Sequence, residues 1–190
     1  MFDRFFHSKP APNSDIAARP VAAVPDPTGD TATVRRIVAK LEAMPPDQAR
    51  LIASAAYTLA RAANADLDIS DEETAAIEHE LQANDALDEA TAVLVTEMAK
   101  LQAKTVGGTE DFVVTREFKA LATQEQRLQV LRACFAIGAA NGTISAEETA
   151  VVNEIAEELD IDDATLNAIR ADYHEQLSSV QTIRRVTGAG

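Results

Sequence analysis

The amino-acid sequence predicts an all-α fold, and three observations carry that expectation. Alanine dominates the apolar content, aromatics are only 4% of 190 residues, and Trp is absent. Such a makeup suits closely packed helices built on small residues. Runs of β-branched and aromatic residues at period two, the mark of strands, are missing. From Val34 onward, apolar residues recur at helical spacing between capping signals and Pro or Gly stops.

The elements follow in order. VRRIVAKLEAM (residues 34–44) reads as a short amphipathic helix ended by Pro45 and Pro46. Pro46 suits the first turn of the next helix, where its missing N–H does no harm. That helix carries DQARLIASAAYTLARAA and stops near Asn64. Ser70-Asp-Glu-Glu73 has the form of a capping box, in which the serine hydroxyl and the glutamate each satisfy an orphan amide of the other. It opens a helix through TAAIEHELQ. The following helix starts after Asp88 and ends before Gly107 and Gly108. TEDFVVTREFKAL is expected to be a short helix with Thr109 as cap and Phe112 and Phe118 turned inward, although Val113-Val114-Thr115 is a poor helix former. Thr123 opens a second capping box, Ser145-Ala-Glu-Glu148 a third, and Asp162 caps DATLNAIRADYHEQL. The tail after Ser178 is expected to fray.

The chain also repeats itself. ADLDISDEETA (65–75) aligns with ANGTISAEETA, 75 residues later, and LDEAT (87–91) aligns with IDDAT, 74 residues later. Two matches in order at nearly one spacing predict an internal duplication. The expected architecture is two three-helix units plus extra short helices around one shared core. The organisation read from this is an N-terminal arm and Pro-rich linker (1–32), a helical domain (33–178, repeats about 46–105 and 123–178) and a frayed tail (179–190).

The formal net charge is −14, which argues against nucleic acid or an anionic membrane surface as a ligand. It fits a soluble protein, a cation binder, or a partner of basic surfaces. Cys134, the single cysteine, lies in the apolar run VLRACFAIG, so it reads as a core residue, and the chain is expected to be cytoplasmic. Neither a membrane span nor a signal peptide is recognisable. Prolines interrupt residues 7–32, which read as a disordered linker. Ahead of it, Phe2, Phe5 and Phe6 share one face of a helical turn. Their expected contact is a protein partner, the chain's own domain, or weakly a membrane.

The acidic turns are the candidate site. Asp66, Asp68, Glu72 and Glu73 in the first, with Asn141, Glu147 and Glu148 in the second, are oxygen donors of the kind that hold Ca, Mg or Mn. An EF-hand is excluded. Counting from Asp66 puts Asp71 where Gly is needed and Ile77 where a bidentate Glu is needed. Two readings stay open. One is a divalent-cation site relieving carboxylate repulsion. In the other, Glu73 and Glu148 close capping boxes while Asp71, Glu72 and Glu147 favour the helix N-terminus. His79 and His174 lack a second His at zinc spacing. No catalytic constellation is recognisable, so the chain is read as no enzyme.

A helix ending in A-[DN]-G-x-I-S-x-E-E, occurring twice, resembles the TerB-like tellurite-resistance domains of bacteria. Ala140-Asn-Gly-Thr-Ile-Ser-Ala-Glu-Glu148 is the closer copy and Ala65-Asp-Leu-Asp-Ile-Ser-Asp-Glu-Glu73 the other. The resemblance covers roughly residues 34–178. It implies a cytoplasmic all-helical module with an acidic, metal-binding surface, linked to tellurite resistance and stress, without established catalysis. Leu67 stands where the motif has Gly, and Asn141 where Asp would ligate more strongly. Family members with a J-domain act as co-chaperones, but His-Pro-Asp is absent here. The functional alternatives are thus a cation-binding stress module and a protein-binding adaptor whose acidic turns are only caps.

Overall fold

In the computed structural model, the described residues are 42–83, 87–106, 108 and 110–188, with Arg35 and Ala39. Residues 36–190 make one compact unit; of residues 1–35, only Arg35, helical and exposed, is described. The helices are α1 (Pro46–Ala63), α2 (Asp71–Ala83), α3 (Glu89–Val106), α4 (Asp111–Leu121), α5 (Gln124–Gly138), α6 (Ala146–Glu158), α7 (Asp163–Asp172) and α8 (Ser178–Thr187). A 3-10 turn, His174–Gln176, joins the last two. Among the described residues the one β-type pairing is an isolated parallel bridge between Ile144 and Leu177.

α1 is the axis of the fold. It packs against α2, α3, α4, α5 and α6, and everything from Ala56 to Ala63 is buried. A helix apolar nearly all round must be enclosed, and its alanines let five neighbours come close. Ile77 of α2, Phe118 of α4, Leu131, Phe135 and Ile137 of α5 and Ile155 of α6 close the core around it. Phe135 stacks on Tyr173, with ring centroids 5.5 Å apart, within the range of favourable offset stacking. Cys134 is buried, and burial pushes its thiol up to about 12, so it is a core side chain rather than a nucleophile.

The capping signals act where the sequence put them. Thr123 Oγ1 accepts from the Gln126 N–H, and the Gln126 side chain accepts from the Thr123 N–H. Asp88 accepts from the Thr91 N–H at 3.0 Å, and Asp162 from the Thr165 N–H at 2.9 Å.

Three expectations need correction. Phe112 is 56% exposed rather than turned inward. Arg61 and Tyr57 draw Asp111 and Thr115 to the inner face of α4, so Thr115 and Phe118 are buried and Phe112 falls outside that stripe. Thr109 lies outside the described residues; α4 has Glu110 at its N-cap with no side-chain cap bond. The segment expected to fray after Ser178 is helix α8 instead, tied back by the Arg184–Glu175 ion pair. Of residues 34–44, Arg35, Ala39, Glu42 and Ala43 are helical.

Candidate functional site

The two acidic turns adopt the same local structure. In the first, the Asp66 carboxylate accepts from the Asp68 N–H at 3.1 Å; in the second, the Asn141 side-chain oxygen accepts from the Thr143 N–H at 3.1 Å. These Asx turns use the short polar side chain to stand in for a backbone acceptor. Leu67 and Gly142 occupy matching positions with φ of 71° and 92°. The positive φ explains the glycine and makes Leu67 the strained member.

Each turn then closes a capping box. The Ser70 N–H donates to Glu73 Oε2 at 2.7 Å, and the Glu73 N–H donates to Ser70 Oγ at 3.2 Å. The corresponding distances for Ser145 and Glu148 are 2.7 and 3.0 Å. Both boxes point inward: Glu73 is 2% exposed and Glu148 is 3% exposed.

The two capping glutamates meet in the interior. Burial pushes the Glu148 carboxyl up to about 7; hydrogen bonds from Ser145 pull it down, while the hydrogen bond and charge of Glu73 push it further up. Glu148 Oε1 is buried and receives no N–H or O–H from another group. The carboxylate of Glu73 beside it adds to the cost of ionising Glu148 in the core. Gly138 of α5 lies against it, where an added Cβ would stand 3.3 Å from Glu148 Oε1.

This arrangement separates the seven candidate ligands. Glu73 and Glu148 face the core and each other. Asp66, Asp68, Glu72, Asn141 and Glu147 stay exposed on the surface. Among the described residues, no three of His, Cys, Asp and Glu gather in a geometry that could hold a metal ion. Glu73 and Glu148, each buried with its Oε2 committed to a serine amide, thus stand apart from the five exposed candidates. His79 and His174 are exposed. Phe2, Phe5 and Phe6 lie outside the described residues.

A family model described as Tellurite resistance protein TerB matches residues 51–171. The chain belongs to the TerB family. Nothing among curated proteins or solved structures matches it. The matched span of this TerB domain runs from α1 through α7 and takes in both acidic turns.

A second polar cluster in the TerB domain went unread in the sequence. Arg61 of α1, 7% exposed, donates to Glu158 at 2.6 Å, Glu154 at 3.0 Å and Thr115 Oγ1 at 3.1 Å, and its Nε lies 3.6 Å from Asp111. Tyr57 donates to Asp111 at 2.7 Å. Burial would lower the Arg61 pKa, but the hydrogen bond it donates to Glu158 and the three carboxylate charges more than offset it and hold the guanidinium above its usual range. Burial, together with Asp111, holds the Tyr57 phenol well above its usual range. The only sequence signal was an Arg in an otherwise apolar stretch of α1. Its hydrogen-bond partners stand 54 to 97 residues away, and nothing local points to them. No helix among the described residues is long and apolar enough to cross a membrane.

Proposed function

We propose that this TerB protein is a non-enzymatic, cytoplasmic docking adaptor in bacterial tellurite resistance and stress response. The observation that carries the reading is the division of labour within the acidic turns. Glu73 and Glu148, which both turns have, are withdrawn into the core as caps. Asp66, Asp68, Asp71 and Glu72 are left exposed around the first turn. Three of them have uncharged counterparts in the second turn, Asn141, Thr143 and Ala146. Charge that the fold does not use for capping is available for a partner, and an acidic rim selects a basic one.

The test is complementation of a strain lacking the gene. The variant D66N/D68N/D71N/E72Q should fold normally by circular dichroism yet fail to restore growth on tellurite. Full restoration by this variant would reject the adaptor reading.

A second reading is a hard divalent cation, Ca, Mg or Mn, held by Asp66, Asp68 and Glu72 of the first turn, whose carboxylates would have to draw together from their present positions to ligate it. Calorimetric titration with each cation separates the two. Heat that vanishes in D66N/D68N favours the cation, whereas a lack of heat for all three leaves the adaptor.

A further inference from the structure

The second acidic turn has an edge that is filled, and among the described residues nothing pairs with the same edge of the first. The Ile144 N–H donates to the Gln176 carbonyl at 2.8 Å, and the Ser178 N–H donates to the Ile144 carbonyl at 2.9 Å. Leu177, at the centre of this parallel bridge, packs on the core. Gln181 secures the strand: its Nε2 donates to the Gly142 carbonyl at 3.0 Å, and its Oε1 accepts from the Thr143 hydroxyl at 3.0 Å. Ile144 is left 1% exposed.

The first turn matches this structure in its Asx turn, its positive φ and its capping box, yet the Ile69 N–H and carbonyl have no hydrogen-bond partner among the described residues. Ile69 is 8% exposed, and Leu67 beside it is 81% exposed. The cause is topological. α7 stops at Asp172 and the chain folds back over the second turn, whereas α3 runs on as helix to Val106.

We propose that the Ile69 edge docks one extended, basic strand of a partner protein, held as Gln176-Leu177-Ser178 is held on Ile144. This rests on the adaptor reading and names what the adaptor takes. The bridge pattern sets the strand's chemistry. The residue before the centre supplies a carbonyl. The central residue is aliphatic. The residue after it supplies an N–H and is therefore not proline. The rim of Asp66, Asp68, Asp71 and Glu72 requires Arg or Lys on the flanks. A second copy of this chain presents the same four carboxylates and is repelled.

The experiment uses the full chain, labelled with ¹⁵N, and a synthetic peptide copying residues 173–180 with Glu175→Arg and Ser179→Arg. At ~5 mM peptide, a concentration suited to a contact of only a few bonds, the Ile69, Asp68 and Ser70 amides should shift while Ile144, already bridged, stays put. A peptide that also carries Ser178→Pro should bind at least about tenfold more weakly, the equivalent of ~1.4 kcal/mol for the lost bond. Absence of a shift at Ile69, or equal binding of the proline peptide, overturns the proposal. The two failures are distinguishable. Peptide docking can fail while tellurite growth still depends on the four carboxylates, which removes the strand alone. Full complementation by the neutralised variant removes the adaptor reading instead.

Discussion

Among the described residues, Leu67 and Asp160 are the non-glycine residues at positive φ, and Leu67, without a short polar side chain, is the more strained. It is a γ-branched residue at φ 71°, with its side chain in solvent. A left-handed conformation costs an L-residue about 1–2 kcal/mol, and no packing of an exposed side chain offsets that. Glycine occupies the matching position of the second turn. Leu67→Gly should therefore raise stability by about 0.5–1 kcal/mol, since relief of strain exceeds the added chain entropy of glycine. Urea denaturation of the two proteins checks this; a lower midpoint for the glycine variant would mean that Leu67 has a contact the monomer does not show. The strain is legible in the sequence only by comparison, because Leu67 reads as ordinary until ANGTIS is set beside ADLDIS.

At the scale of elements, α2 and α6 begin on the same capping chemistry, and their capping glutamates are coupled. The folded pKa of Glu148, about 7, lies above the ordinary glutamate value of 4.5. Between these values the native state holds a proton that the unfolded chain has lost. The contribution of Glu148 to stability should be full below about pH 4.5, fall as pH rises to about 7, and level off above that, a loss of about 3 kcal/mol for this group. Glu148→Gln should flatten that window. Gln closes a capping box as Gln126 does, and its amide can donate to Glu73 without titrating. Thermal melts from pH 4 to 8 check this, and an unchanged slope in the variant would assign the pH dependence elsewhere. The boxes themselves could be read from S-x-x-E spacing. That the two glutamates face each other could not, because residues 73 and 148 are brought together only when α2 and α6 both pack on α1 and α5.

At the scale of the whole molecule, Arg61 binds α1 to α4 and α6 through Asp111, Glu154 and Glu158. These ion pairs tie the first helix to the fourth and the sixth. Arg61→Met keeps much of the side chain's volume but leaves Asp111 and Glu158 without their cation in a largely buried site. The expected cost is about 3–5 kcal/mol, the usual penalty for breaking one half of a buried ion pair. Chemical denaturation measures it; a loss below ~1 kcal/mol would show that solvent reaches the carboxylates and replaces the guanidinium. Exposed pairs such as Lys119–Asp160 should contribute little by comparison.

The sequence by itself determined the helical class, the caps at Ser70, Asp88, Thr123, Ser145 and Asp162, and the family. Each of these rests on local spacing, propensity or motif, and residues within one turn of a helix carry that information whatever surrounds them. Only the tertiary structure decided which acidic residues are buried, which face of α4 points inward, and which turn is covered. These outcomes depend on how helices far apart in the chain pack together. Glu73 and Glu72 are neighbours with the same side chain. One closes a box against a second glutamate in the core and the other stays in solvent, because a helix turns about 100° per residue and only one face of α2 meets α5.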